Sequence, residues 1–123
     1  MKREATFQRY FQHYLKGVMG HVFVFKLPDV GYQTPFDSFS VDAQGKFYAW
    51  ELKQTTTESL PFISVVPHQI TALEIVKGSV VIRYPQFFCL IPIDIFIQES
   101  KRSKRRSLTS ERAKEIATLV VKI

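Results

Sequence analysis

The chain has 123 residues, a length that fits one domain built around a single hydrophobic core. Hydrophobic residues make up 46% of the sequence and charged residues 23%, and this balance excludes an intrinsically disordered or fibrous chain. The formal net charge of +6 favours an anionic partner, because lysine and arginine side chains that neutralise phosphates release condensed counterions.

The first element is predicted to be an amphipathic helix over residues 3–16, because aromatic residues recur there with the spacing of one helical face. Gly17 provides a stop signal for this helix. Glu4 precedes Phe7 by three positions, so its carboxylate projects from the same stripe, where burial without a partner would be costly. We therefore expect a cationic group near Glu4.

Three strands are predicted to follow this helix. Residues 21–27 and 36–41 are read as strands, and residues 28–35 as a loop in which one glycine and two prolines mark turns. Residues 43–46 are expected to form a hairpin turn that leads into a third strand at residues 47–53. Because the third strand carries bulky apolar residues on both faces, it belongs in the middle of a sheet.

A polar segment and a second helix come next. Residues 54–64 are rich in threonine and serine, which favours a loop. Pro67 suits the first turn of a helix that ends at Gly78, and Gln69 lies on the apolar face of that helix. We therefore expect the Gln69 side chain to point inward.

The last part of the chain is predicted to contain two strands, a basic run and a helix. The apolar runs 79–84 and 86–91 are typical of a strand pair. Five of the six residues in 101–106 are basic, and the final helix begins near Thr109 or Ser110, either of which could cap it.

The order of these elements predicts an α/β fold in which a mixed five-stranded sheet is flanked by helices, all within one domain spanning residues 1–123. No apolar stretch reaches the roughly 18 residues that span a bilayer, and no signal-peptide pattern is recognisable. We therefore expect a cytoplasmic protein with no membrane partner.

Two apolar runs, 87–90 within the second strand of this pair and 93–97 just after it, allow two interpretations. The favoured one is burial in the core, and the alternative is an apolar surface available for a dimer interface. Cys89 is the only cysteine, so an intramolecular disulfide is excluded and a small buried hydrophobe is expected.

The third predicted strand contains a pair of opposite charges. Glu51 and Lys53 are two positions apart, so both side chains leave the same face of a strand whose other residues are apolar. Asp37 stands at the start of the preceding strand, and hairpin pairing would bring it near Glu51. An ion pair at a solvent-exposed strand end is the alternative interpretation.

These residues supply the groups that metal-assisted hydrolysis of a phosphodiester requires. The two carboxylates and the backbone carbonyl of Leu52 are hard oxygen ligands of the kind that Mg²⁺ or Mn²⁺ accepts, and positions remain for water and a phosphate oxygen. Lys53 would face the same phosphate and stabilise the charge that develops in the transition state.

Two successions of residues resemble a known family. Pro35-Phe36-Asp37-Ser38-Phe39, a hairpin and then Trp50-Glu51-Leu52-Lys53 resemble the core motif of the PD-(D/E)xK nuclease superfamily. Gln54-Thr55-Thr56-Thr57, Leu60-Pro61-Phe62 and His68-Gln69-Ile70 then resemble the RecU-type Holliday-junction resolvases and their compact archaeal relatives. The resemblance extends to about residue 91 and implies a restriction-endonuclease-like fold.

The resemblance also implies residue roles. Asp37 and Glu51 correspond to metal ligands for Mg²⁺ or Mn²⁺, and Lys53 corresponds to the catalytic lysine. Glu4 corresponds to an additional carboxylate that approaches the metal, and Gln69 matches the glutamine on the family's helix.

Two segments are predicted to contact the DNA backbone. The loop after the third strand offers hydroxyl and N–H groups at Thr55, Thr56 and Thr57. The cationic residues of the basic run, for which a solvated loop is the alternative interpretation, are Lys101, Arg102, Lys104, Arg105 and Arg106. His68 is better explained by a surface or capping role than by catalysis.

The predicted function is a homodimeric, Mg²⁺-dependent endonuclease that resolves four-way DNA junctions in recombination and repair. A two-fold dimer would present two active sites related by the same symmetry as the two scissile phosphates of the junction. One alternative is a nuclease of the same superfamily with another specificity, such as a phage exonuclease or a restriction-type enzyme. The other is a binding module without catalysis, against which the presence of Asp37, Glu51 and Lys53 argues.

Overall fold

The computed structural model describes residues 2–28 and 34–123, without the side chains of residues 2–5. The helices are α1 (Lys2–Gly17), α2 (Pro67–Val76), α3 (Ile93–Arg102) and α4 (Ser110–Ile116). The strands are β1 (Phe23–Lys26), β2 (Ser38–Val41), β3 (Phe47–Gln54), β4 (Ser59–Pro61), β5 (Ser79–Tyr84), β6 (Phe87–Pro92), β7 (Ser107–Thr109) and β8 (Leu119–Lys122). The side chain of Glu4 and residues 29–33 of the predicted loop lie outside the described residues.

A mixed sheet forms the centre of the described fold. Its six strands are ordered β1-β2-β3-β5-β6-β8, with β3 and β5 parallel and the other neighbours antiparallel. The segment between β3 and β5 contains α2, as a parallel pair requires a crossover connection. The predicted class, a mixed sheet flanked by helices, is confirmed, and this sheet has six strands in the described part of the chain where five were predicted.

Strand β3 is buried on both faces, as expected for a strand in the middle of the sheet. On one face, Trp50 and Leu52 pack with Phe11 of α1, whose ring centroid lies 5.3 Å from that of Trp50. On the other face, Ala49 packs with Leu73 of α2. Alternate residues of β3 therefore face two separate cores, one beneath α1 and one beneath α2 and α3.

The end of α2 is fixed by a close approach to β3. A Cβ atom on Gly78 would lie 2.6 Å from Leu73 Cδ2 and 2.8 Å from the Ala49 carbonyl oxygen. Lys77, just before it, adopts the left-handed conformation with a φ of 55°. Glycine at position 78 thus lets α2 lie directly against the strand that carries Glu51 and Lys53.

The structure resolves the two interpretations of the apolar runs in favour of the core. Phe87, Phe88, Cys89 and Leu90 are buried in β6, so they do not offer the surface for a dimer that was the alternative. Burial also raises the pKa of the Cys89 thiol to about 12, as expected for an inert thiol in apolar surroundings.

Residues 93–97 begin a helix that was not predicted. In α3, Ile93, Phe96 and Glu99 are buried at intervals of three residues, and Arg112 of α4 pairs with Glu99 through two hydrogen bonds of 2.9 and 3.0 Å. The first two residues of the basic run, Lys101 and Arg102, belong to the last turn of this helix.

Two further predictions differ from the structure. The segment 54–64, expected to be a loop, contains β4, which pairs with β7 in a second, two-stranded sheet. The final helix starts at Ser110 with Thr109 as its N-cap, as predicted, but ends at Ile116. Val120, expected on that helix, lies in β8 beside Cys89 of β6, because the β-branched residues there suit a sheet edge.

None of the helices in the described residues combines the length and the apolarity that crossing a bilayer requires.

Candidate metal centre

The candidate site lies at the N-terminal end of β2, where the paired strand β3 extends beyond it. The last cross-strand pair of β2 and β3 is Ser38 with Trp50, and β3 runs on to Gln54. Asp37 extends the pairing by one step, since its N–H donates to the Trp50 carbonyl at 3.0 Å. At the next position along β3, the Asp37 side chain provides the acceptor that a paired strand would provide, because its Oδ2 accepts the Leu52 N–H at 2.7 Å.

This arrangement fixes Asp37 beside Glu51. The N–H and C=O groups of an extended residue point to the same side of the strand, so the Leu52 carbonyl also faces the side that Asp37 occupies. The hairpin pairing that the sequence predicted therefore brings together both carboxylates and the Leu52 carbonyl. Their roles as metal ligands remain a prediction.

Glu51 is a carboxylate in an environment that disfavours its charge. The residue is 1% exposed, and its Oε1 atom has no hydrogen-bond partner. Burial raises the pKa of Glu51 to about 8, and the nearby negative charge of Asp37 adds to this effect. Lys53 opposes it, with Nζ 3.4 Å from Glu51 Oε2. The solvent-exposed ion pair considered as the alternative is therefore excluded for Glu51.

A polar cavity of about 140 Å³ opens beside these groups. Its lining comes from α1, from the residue before β2, from β3 and from α2. The lining residues are Phe7, Gln8, Asp37, Glu51, Leu52, Lys53, Gln54 and Gln69. Five residues that the sequence singled out for chemistry thus meet in one cavity. For Glu4, the structure describes the backbone in α1 but no side chain.

Gln69 reaches the cavity as predicted and has a second contact that explains its position. Its Oε1 accepts the N–H of Val66 at 3.2 Å, which satisfies a backbone donor at the start of α2. The glutamine is half-buried and lies three residues into the helix. Gln69 therefore fixes the N-terminal end of α2 at the wall of the cavity.

Sequence reasoning missed two glutamines of this site. Gln8 Nε2 and Gln54 Oε1 are buried atoms without a hydrogen-bond partner, and both side chains line the cavity. A signal for Gln8 exists in the sequence, because it precedes Phe11 by three residues and Leu15 by seven and so shares their buried stripe. Gln54 follows Lys53 directly and has no comparable pattern.

The predicted DNA-contact loop is held by its own hydroxyl groups. Thr55 Oγ1 and Thr57 Oγ1 both donate to the Ser59 carbonyl, at 3.1 and 2.9 Å. Thr56 is exposed, and with Thr55 it lines a neighbouring cavity of about 240 Å³. The loop is thus adjacent to the candidate site, and its contact with DNA remains a prediction.

The basic run and His68 do not line the cavity of Glu51. Lys104, Arg105 and Arg106 are exposed in the connection between α3 and β7, near the Glu99–Arg112 ion pair. His68 is exposed, with Nε2 3.2 Å from the Thr34 carbonyl, which agrees with the surface role favoured from sequence.

The residues present fit a hard divalent cation. Two carboxylates lie side by side, one with an unpaired buried oxygen and a raised pKa, and a cation between them would remove the repulsion. Among the described side chains there is no cluster of three or more His, Cys, Asp or Glu that could hold a metal. One or two carboxylates, with water and substrate phosphate, are nevertheless the usual ligand set of Mg²⁺.

We predict that Glu51 destabilises the metal-free protein as pH rises. Its pKa is higher in the folded than in the unfolded chain, so its contribution to stability is complete below about pH 4.5 and declines up to about pH 8. In EDTA, Glu51→Gln should therefore unfold at a higher temperature than wild type, by a margin that widens between pH 5 and 8. A margin independent of pH across thermal melts in this range would contradict the prediction.

Comparison with known proteins supports the fold. No family model matches the chain, and no curated protein sequence is similar enough to match it. Among solved structures, the chain is similar to Archaeoglobus fulgidus Hjc, a Holliday junction resolvase from an archaeal hyperthermophile. The TM-score is 0.60 at 13% sequence identity, and the match covers 88% of this chain and 92% of Hjc. The fold resemblance predicted from the sequence is thereby confirmed.

Proposed function

We propose that this protein is a metal-dependent nuclease that cleaves four-way DNA junctions as a homodimer. The observation that carries the proposal is the adjacent pair of carboxylates, buried Glu51 and half-buried Asp37, with Lys53 beside them near the end of β3. Burying the Glu51 carboxylate beside a second negative charge costs free energy, and a carboxylate with a raised pKa in a cavity is typical of a functional site.

Asp37, Glu51 and the Leu52 carbonyl would hold Mg²⁺ or Mn²⁺. When bound, such an ion polarises a phosphate oxygen and activates a water nucleophile. Asp37 is oriented for this role by the Leu52 N–H, and Glu51 is held against Lys53. The Lys53 ammonium lies at the cavity wall, where it orients the nucleophile and stabilises negative charge that develops on the phosphate.

The junction specificity rests on the likeness to Hjc, a protein that is named for resolving Holliday junctions. Two symmetric nicks resolve a junction, and a two-fold dimer supplies two sites with the matching symmetry. The positive net charge agrees with a nucleic-acid substrate. Recognition of a branched shape needs only backbone contacts, for which the threonine loop and the basic run are the candidates.

The test is a comparison of substrates at equal concentration. Purified protein with Mg²⁺ should nick a synthetic four-way junction at symmetric positions, at least ten times faster than it cuts a linear duplex, flap or single strand of the same sequence. Sedimentation of the free protein should give the mass of a dimer. Equal cutting of duplex and junction would favour a nuclease of another specificity, such as a phage exonuclease or restriction-type enzyme.

The basic run is expected to contribute long-range attraction to DNA. Replacing its five cations by glutamine should weaken junction binding and lower the slope of log affinity against log salt by about 0.9 for each phosphate that is no longer neutralised. Binding measured by fluorescence anisotropy from low to moderate salt checks this. A slope identical to that of wild type would show that the segment is a solvated surface without a role in binding.

A further inference from the structure

Buried polar atoms without partners are concentrated at one place in this protein. Four such side-chain atoms occur among the described residues, and they belong to Gln8, Glu51, Gln54 and Arg83. Three of these residues line the candidate metal cavity. The fourth, Arg83, lies in β5, directly beside Gln54 of β3 in the parallel register. Buried groups of this kind are normally satisfied, so this clustering indicates a polar ligand.

Arg83 lines a second cavity, of about 240 Å³, together with Gln54, Thr55 and Thr56. Gln54 lines both this cavity and the metal cavity, so the two are neighbours that share one wall. The Thr55 N–H donates to the Arg83 carbonyl at 3.0 Å, which fixes the threonine loop against β5. The position of the second cavity relative to Glu51 is therefore set by the sheet itself.

The chemistry of the second cavity favours an anion. Nε of Arg83 is buried and has no acceptor, and no ion pair to its guanidinium occurs among the residues that the structure describes. Arg112 provides the contrast, because Glu99 and Glu115 both neutralise it. An unpaired guanidinium beside the Gln54 amide and the exposed Thr56 hydroxyl offers donors of the kind that bind phosphate oxygens.

We propose that Arg83, together with Gln54 and Thr56, binds a phosphate that flanks the scissile one on the same DNA strand. The inference rests on the proposed nuclease function. Gln54 is three residues beyond Glu51 along β3, a distance on the order of 10 Å, which one or two nucleotides of a DNA strand can span. Arg83 would thereby fix the position of the strand, and the scissile phosphate would be aligned over Asp37, Glu51 and Lys53.

The first test is the salt dependence of junction binding in EDTA, where no cleavage occurs. Arg83→Gln should bind several-fold more weakly than wild type, and its log–log salt slope should be smaller by about 0.9, the value for one phosphate contact. Arg83→Lys retains the charge and should keep the wild-type slope. The matched control is Lys77→Gln, an exposed cation that follows α2 and precedes the first residue of β5 by two positions. An unchanged affinity and slope for Arg83→Gln would overturn the proposal.

The second test removes individual phosphate charges from the DNA. Junctions that carry one neutral methylphosphonate at successive positions around the cut should bind wild-type protein more weakly at a single flanking position. At that position the methylphosphonate should have no effect on Arg83→Gln, because this variant no longer binds the phosphate there. Additive losses at every position would exclude the Arg83 contact.

Failure of the subsite and failure of the function are distinguishable. A wild-type protein that cleaves junctions, while Arg83→Gln binds like wild type, would overturn the subsite alone. A wild-type protein that binds no DNA would overturn both.

Discussion

Asp37→Asn and Glu51→Gln should each reduce junction cleavage by roughly 10²–10³-fold or more, the range expected when a group that stabilises transition-state charge is removed. Both substitutions retain the shape of the side chain and remove the charge that a divalent cation needs. Asparagine can still accept the Leu52 N–H through its amide oxygen, so the local backbone should remain in place. Single-turnover cleavage of a labelled junction in saturating Mg²⁺ measures the effect.

The matched controls are exposed carboxylates away from the cavity. Asp94→Asn in α3 and Glu74→Gln in α2 remove the same charges from exposed positions and should cleave like wild type. Junction binding should survive in all four variants, because the carboxylates repel the phosphate backbone. Wild-type cleavage by either Asp37→Asn or Glu51→Gln would remove the proposed metal site.

Lys53→Met should lower the rate of the chemical step by roughly 10²–10³-fold while leaving junction affinity nearly unchanged. The ammonium lies 3.4 Å from Glu51 Oε2 at the cavity wall, where it can act on the reacting phosphate. Its loss also removes a cation that lowers the pKa of Glu51, so the pKa should rise further. Proton competition then weakens metal binding at neutral pH, and cleavage should be compared at several Mg²⁺ concentrations.

Two outcomes separate a catalytic role of Lys53 from a merely structural one. If Lys53 only neutralises Glu51, high Mg²⁺ or higher pH should restore full cleavage to Lys53→Met. If Lys53 acts on the phosphate, the rate at saturating Mg²⁺ should remain low. Lys77→Gln, outside the residues that line the cavity, controls for a general loss of positive charge.

The core of the candidate site could be predicted because its geometry is local. Glu51 and Lys53 share a face through the two-residue period of a strand, and Asp37 is joined to them by a short hairpin. Gln8 could have been found from its spacing to Phe11. Gln54 and Arg83 could not, because they meet through the parallel pairing of β3 and β5, which the crossover through α2 sets.

The errors in the predicted fold have a common physical origin. The apolar run through β6 continues into Ile93 and Ile95, so hydrophobicity alone did not separate a buried strand from the helix that follows. The segment at Val120 satisfies a helical period, but its pairing with β6 depends on contacts distant in the sequence. Contacts between residues distant in the sequence, and not the local pattern, therefore determined the secondary structure of both segments.

The most direct test of the metal centre is a calorimetric titration of the DNA-free protein with Mn²⁺ at pH 7.5. Wild type should bind the ion, and proton uptake by the buffer should accompany binding as Glu51 loses its proton. Glu51→Gln should show no such binding, whereas Glu74→Gln should bind like wild type. Absence of binding to wild type, or equal binding to Glu51→Gln, would contradict a metal site built on Asp37 and Glu51.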